Sequence, residues 1–351
     1  MHYERNADGR EQRNDEIVSE SPFQRVAAVD IGSNTVHLII ADLDRHRKTL
    51  KIVERQVDLA RLGADVVATG AIGAERAARV EATLRTMAAL AAQHGANPRI
   101  ALATEGVRAA SNASAMLARF GAAWGSPIAL VTGLEEAALT FWGATSVATD
   151  PLARLAVADL GGGSTEITIG DDGTIVRANS FALGSGKLMA EVNPSDPMTQ
   201  DELSMLREHA RTTIAAAVGA GPDEPLAQLI AVGGTANSIV PLLNSNPQIT
   251  KPTMLARHEN LTRGNLESAL LMLCSFPRSR LVEWSGMDVE RVKILPTGIA
   301  AWDEILRWSG RDALTVSQRG VREGALIAYA HAGNDWQAYA HAATAKQEPN
   351  V

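Results

Sequence analysis

Two stretches of this chain set an aspartate, small residues and hydroxyls in the same order. VDIGSNTVHLIIAD occupies 29–42 and ADLGGGSTEITIGD occupies 158–171. They superpose without a gap: Asp30 on Asp159, Gly32 on Gly161, Thr35 on Ser164 and His37 on Glu166. In each copy an apolar run stops at the aspartate, passes through a small-residue loop and resumes as an alternating strand. A simple hairpin needs about two turn residues and no run of glycines. Three glycines in a row, Gly161, Gly162 and Gly163, carry a backbone entropy cost that a plain turn avoids. A glycine- and hydroxyl-rich loop between strands points several N–H groups into one concavity. Such a nest suits anionic oxygen, phosphate above all. Gly32, Ser33, Asn34 and Thr35 make the first candidate loop; Gly161 to Ser164 make the second. AVGGTANS (231–238) offers a third strand–glycine–helix turn, with Gly233 and Gly234 at its bend. An aspartate ending a buried strand at such a mouth, Asp30 or Asp159, can hold a divalent cation, for magnesium usually through water. Glu166 stands across the second hairpin and could share that task.

Other residues admit two readings. Glu135 and Glu136 open a helix after the strand that ends at Gly133, where carboxylates favour the helix dipole and capping is the default. Arg108 in TEGVRAASN sits in a strand-to-helix turn; a phosphate contact and a solvated surface position are both open. GSGK (184–187) lacks the earlier glycine of a Walker loop, having Phe181 there, and has Leu188 where Ser or Thr is needed. Lys187 is therefore either a lone positive charge near the second loop or a surface lysine. His37 reads as a strand residue with a structural partner.

These residues need two similar α/β units facing each other. Strand and helix signals alternate from residue 26 to about 330, and the series restarts at 155. The organisation expected is a disordered tail over 1–24, an N-terminal lobe over 25–134, a C-terminal lobe over 135–320 and a frayed or partly helical tail over 333–351. The last helix, 321–332, can join the first lobe. Ser or Asn should cap the helix near 111–121, and Thr199 the helix that follows it. The chain has 351 residues and 46% apolar content, enough for two cores. Its net charge of −7 disfavours non-specific nucleic-acid binding. A single cysteine, Cys274, rules out an intramolecular disulfide and a cysteine-based zinc site. There is no apolar run of about 20 residues and no signal-peptide core, so the expectation is a cytoplasmic protein without a membrane partner.

The motifs together resemble the exopolyphosphatase and guanosine pentaphosphate phosphatase family (Ppx/GppA). VDIGSNTVHLIIAD, RLG (61–63), ATEGVRAASN (103–112), VTGLEEA (131–137), ADLGGGSTEI, AVGGTANS, LPTG (295–298) and VREGAL (321–326) follow in the family's order. The resemblance implies two related actin-like (ribonuclease H-like) lobes across a cleft, the fold of actin, sugar kinases and Hsp70 nucleotide domains. It implies a phosphohydrolase acting on a terminal phosphoanhydride of polyphosphate or of pppGpp with Mg2+ (or Mn2+), and it leaves a homodimer open. By carry-over Glu136 is the general base; Asp30, Asp159 and Glu166 are the metal-associated acids; Arg108, Lys187, the two loops and the Gly233–Gly234 turn contact phosphate. Many members have arginine after Glu-Glu-Ala, where this chain has Ala138. Longer members carry a further C-terminal helical module, so short polyphosphate is the expected preference. The competing readings are an ATPase or kinase of the same fold, and a sensor that binds polyphosphate or pppGpp without turnover.

Overall fold

A computed structural model describes residues 23–245 and 260–345. The expected disordered tail lies, except for its last two residues, outside the described residues. In the first lobe, β1 (Phe23–Ile31), β2 (Thr35–Asp44) and β3 (Thr49–Leu59) form an antiparallel meander. They are followed by α1 (Leu62–Thr69), α2 (Ala74–Gln93), β4 (Arg99–Ala103), α3 (Glu105–Arg108), α4 (Ala113–Trp124) and β5 (Ala129–Leu130). The strand expected over 127–133 is thus only two residues long. Next comes α5 (Gly133–Thr145), whose first turn spans the expected 134/135 boundary. The second lobe repeats the meander as β6 (Leu155–Leu160), β7 (Thr165–Asp171) and β8 (Thr174–Phe181). It continues with α6 (Ser185–Val192), α7 (Gln200–Val218), β9 (Gln228–Val232), α8 (Gly234–Asn244), β10 (Asn260–Thr262), α9 (Arg263–Ser275), α10 (Arg278–Ser285), α11 (Val289–Trp308) and β11 (Ala313–Val316). Two helices close the described chain, α12 (Val321–Ala332) and α13 (Trp336–Thr344).

The sheets have strand orders β3-β2-β1-β4-β5 and β10-β11-β9-β6-β7-β8. Read from the meander inward, the first five strands of each correspond, with antiparallel hairpins followed by parallel crossovers. The repeat in the sequence is therefore a repeat in space, and the α/β architecture of two related lobes is present. Apolar faces dictate the layering. One face of the first sheet buries Val29, Ile31, Leu38 and Ile40 under α1, α2 and α4. The other buries Ile39, Leu43 and Leu102 under α12 and α13. The second sheet packs α5 through Phe141, Leu155 and Val157 on one face and α7, α8 and α11 on the other. Each such side chain contributes about 1.5–3 kcal/mol on burial.

Helices α5 and α12 meet between the sheets. A Cβ on Gly143 would overlap the Gly320 carbonyl, and one on Gly324 the Leu139 carbonyl. Only glycine lets these backbones come so close. Of the expected frayed or partly helical tail, the described residues 333–345 form a short 3-10 turn and α13. Trp336 and Ala340 are buried against the first lobe's core. Gln337 Nε2 donates to the Leu130 carbonyl at 3.1 Å. Thr199 caps α7 in a reciprocal box with Glu202, as its spacing predicts. Asn112 takes the N-cap position of α4 but makes no cap bond. Its side chain instead accepts from Ile72 N at 3.0 Å and donates to Ile72 O at 2.9 Å.

Candidate active site

Both candidate loops form because a β-hairpin ends at an aspartate and must turn within a few residues. In the first, Asp30 pairs with His37 across β1 and β2, and Gly32 N donates to Thr35 O at 2.9 Å. In the second, Asp159 pairs with Glu166 across β6 and β7, and Gly161 N donates to Ser164 O at 3.0 Å. The loops face each other across the interlobe cleft and touch at their tips. A Cβ on Gly162 would come within 2.9 Å of the Asn34 amide nitrogen, and one on Gly163 would overlap the Glu105 carboxylate. The second loop's glycines therefore accommodate the first lobe.

The cleft between the lobes has a volume of about 860 Å³. Asp30, Gly32, Ser33, Asn34, Thr35, Glu136, Asp159, Gly161, Gly162, Gly163, Ser164, Gly233 and Gly234 all line it. Three expected residues do not. Arg108 stands behind the lining beside Glu136, its Nη1 donating to Val131 O at 2.6 Å and lying 3.5 Å from Glu136 Oε2. Glu166 is 3% exposed and accepts from Ser180 Oγ at 2.7 Å. Lys187 sits on α6, the helix missed in the sequence reading. Its backbone N–H and that of Gly186 both donate to Gly162 O at 2.9 Å, and Ser185 N donates to Gly161 O at 3.0 Å. GSGK thus braces the second loop through backbone; its lysine side chain does not line the cleft.

The two glutamates opening α5 divide their labour. Glu135 closes the capping box, accepting from Thr132 N at 2.8 Å, and is braced by Gln337 at 3.2 Å. Glu136 takes no part in the cap. It projects into the cleft with Arg108 beside it, 9% exposed. Burial, then the Glu166 charge, hold its carboxyl well above the usual carboxylate range, against the pull of Arg108. Burial pushes Asp30 up to about 7 and Asp159 up to about 6. Glu166 is raised to about 8 by burial and the neighbouring Asp159 charge. His37 is held well below its ordinary value by burial and by Arg322, Arg291 and Arg55. Four carboxyls thus converge where ionisation is costly without a cation.

Among the described residues, no three His, Cys, Asp or Glu side chains form a cage that could hold a metal by protein atoms alone. Asp30 Oδ1 is nonetheless buried with no hydrogen-bond partner, close enough to Asp159 for the two charges to interact. Such a set fits an ion that keeps water and phosphate oxygens among its ligands, as magnesium does. Neutralising groups missed in the sequence reading are also present. Arg322, in the first turn of α12, lines the cleft with its Nε buried and unpartnered. Its signal was VREGAL, a motif with an obvious place in the resemblance and no assigned role. Arg291, on α11, also lines the cleft, and nothing in its local sequence marks it.

Comparison with known proteins decides the kinship. Residues 39–332 match the model of the Ppx/GppA phosphatase family. The chain belongs to that family. It is 31% identical over 318 residues to "Exopolyphosphatase 2" of Mycobacterium tuberculosis, covering 87% of this chain and 98% of that one. It is 27% identical over 308 residues to "Exopolyphosphatase 1" of the same organism, covering 86% and 87%. Its fold matches the Aquifex aeolicus Ppx/GppA family member with a TM-score of 0.74 at 25% identity, over 89% of this chain and 99% of that one. A Cytophaga hutchinsonii exopolyphosphatase shares the fold with a TM-score of 0.78 over 88% and 98%. This phosphatase is thus a hydrolase of the Ppx/GppA family. Its Ala138 is fully buried in the core that α5 makes with the second sheet. The position where the resemblance leads to an expected arginine is here a packing position. No described helix is long and apolar enough to cross a membrane.

Proposed function

We propose that this family member releases orthophosphate from the end of a linear polyphosphate, with Glu136 as general base. The observation that carries the reading is the placement of Glu136. It is the buried carboxyl that opens α5, points into the cleft between two phosphate-suited loops and is left free by its neighbour's capping role. The terminal phosphate would lie between the loops, with donors of Ser33 to Thr35 and of Gly162 to Ser164 reaching its oxygens, since the Gly32 and Gly161 N–H groups already tie their own hairpins. Glu136 would then orient the attacking water and take its proton. Arg108, 3.5 Å from Glu136, favours the ionised form that a base requires. A magnesium or manganese ion held by Asp30, Asp159 and Glu166, partly through water, would neutralise phosphate oxygens. Arg322 would add positive charge on the same wall. Phosphoryl transfer needs little more than such positioning and charge neutralisation. The names of the mycobacterial relatives support polyphosphate over a nucleotide.

The test is phosphate release by the purified protein with magnesium. Short polyphosphate, long polyphosphate, pppGpp and ATP are offered in parallel, with Glu136→Ala beside the wild type. Release from polyphosphate that falls by about 10²–10⁴ in the variant, the usual worth of a general base, is the expected result. Release confined to pppGpp would move the substrate to the guanosine nucleotide. Binding without release, or unchanged turnover in Glu136→Ala, would sink the catalytic assignment.

A further inference from the structure

We propose that Glu105 competes from within the protein for the phosphate position of the first loop, so that orthophosphate is held weakly while a longer chain is held well. The proposal rests on the reading that this loop holds phosphate. Glu105 opens α3 directly after β4, with Thr104 at the N-cap. That places its carboxylate at the seam between the lobes, lining the cleft. Ser33 Oγ donates to Glu105 Oε2 at 2.7 Å. On the other side the carboxylate lies so close to Gly163 that any side chain there would overlap it. One acidic group thus touches both candidate phosphate loops. Arg108, three residues on in the same short helix, does not neutralise it, being turned to Glu136 and Val131 O.

The chemistry follows from hydrogen count and charge. A serine hydroxyl has one proton to donate. Ser33 cannot give it to Glu105 and to a phosphate oxygen at once. A phosphate brought to Ser33 also meets a carboxylate at contact range, and like charges in a partly desolvated cleft repel. Phosphate occupancy of the first loop therefore requires Glu105 to swing out, or carries that repulsion. A chain of several phosphates can offset the cost through further contacts with the second loop, the Gly233–Gly234 turn and Arg322. Orthophosphate has one phosphate and cannot. Weakening the product more than the substrate is selection by a repulsive element. It also speeds release, a step that often limits turnover.

The experiment titrates orthophosphate into wild type, Glu105→Gln and Glu105→Ala by calorimetry. It also measures orthophosphate inhibition of tripolyphosphate turnover, with thermal melting to show that each variant is folded. Glu105→Gln keeps the shape and an acceptor for Ser33 while removing the charge. Orthophosphate should bind about tenfold more tightly to both variants, a modest share of one like-charge contact at a water-accessible site. The inhibition constant should fall in parallel, and the KM for tripolyphosphate should fall less. Unchanged orthophosphate affinity in both variants would overturn the proposal. Weaker affinity would also overturn it, making Glu105 a support for Ser33 or a metal-associated group. If wild type binds neither orthophosphate nor tripolyphosphate, the phosphate reading of the loops fails, and Glu105's role with it.

Discussion

The two hairpin loops share one backbone plan and differ in what they carry. Asp30 and Asp159 close equivalent strands, and each loop is tied by the same glycine-to-carbonyl bond, 2.9 Å in one and 3.0 Å in the other. Across the hairpin the first copy has His37 and the second has Glu166. Burial and then three arginines hold His37 well below its ordinary value, whereas Glu166 stands among other acids. The loop tips diverge as well. Ser33 and Asn34 reach outward, and Gly162 and Gly163 receive Asn34 and Glu105. A duplicated frame thus became two different half-sites. The second lobe gathers Asp159, Glu166 and, through α5, Glu136, while the first contributes Asp30 and side chains that reach across the cleft. Divergence at the position paired with the aspartate sets where acid chemistry can occur.

The sharpest way to break that comparison is to neutralise the paired position in each copy. Glu166→Gln should lower turnover by about 10–100-fold, as loss of a metal-supporting carboxylate commonly does. His37→Gln exchanges one neutral group for another and should change turnover by about twofold, the effect of ~0.5 kcal/mol. Steady-state phosphate release measured for both variants decides it. Equal losses would mean that the two copies still do the same work.

A second effect is smaller and appears as stability. Carboxyls in the unfolded chain ionise near pH 4. In the folded protein Asp159, Asp30 and Glu166 hold their protons up to about 6, 7 and 8. Between those limits the folded state binds protons that the unfolded chain has released. Stability contributed by these groups is fully present below pH 4 and is lost as pH rises toward 8. His37, with its lowered value, opposes this over the range below about 6.5, but one histidine is set against these three carboxyls and Glu136, itself held well above the usual range. The melting temperature of metal-free protein should therefore drop between pH 5 and pH 8, by about 2–4 °C for each kcal/mol lost. Magnesium should restore more of it at pH 8 than at pH 5, and Glu166→Gln should flatten the profile. Scanning fluorimetry across pH with and without magnesium checks all three. A melting temperature that rises over this window would overturn the assignment of raised carboxyls.

What the sequence made legible was local or repeated. The hairpin copies were readable because residue order along a β-hairpin dictates register: an aspartate seven residues before its partner must face it when the turn closes on Gly32 or Gly161. The capping box at Thr199 was readable because both partners lie within one turn. Features set by distant contacts were not. Asn112 looks like a cap, but its amide is taken by Ile72, 40 residues away. Residues 333–351 read as a frayed or partly helical tail because their alanines carry no strong periodic signal; the burial of Trp336 depends on a core assembled from β1, β2 and α12. Arg108 was expected on phosphate, and its direction toward Glu136 depends on where β5 ends. Glu135 and Glu136 look interchangeable in sequence. Only the geometry of the first turn of α5 assigns one to the cap and leaves the other in the cleft.

The smallest predicted effect concerns GSGK, where composition and position point different ways. A lysine two residues after a serine–glycine turn beside a phosphate loop invites a charge-based role. The structure gives that segment a mechanical one: three successive N–H groups, from Ser185, Gly186 and Lys187, donate to the Gly161 and Gly162 carbonyls and hold the second loop from behind. Those bonds survive any side chain at 187 except proline. Lys187→Ala should therefore leave kcat and KM for tripolyphosphate within about twofold, the range of a substitution outside the site. Gly184→Ala should do more harm, because its Cβ would overlap the Gly162 carbonyl and the Gly163 nitrogen. Kinetics on the pair separate the readings. A tenfold or greater rise in KM for Lys187→Ala, strongest at low ionic strength where unscreened charges reach furthest, would restore the lysine to the substrate. A large loss confined to Gly184→Ala would locate the work of this motif in its backbone.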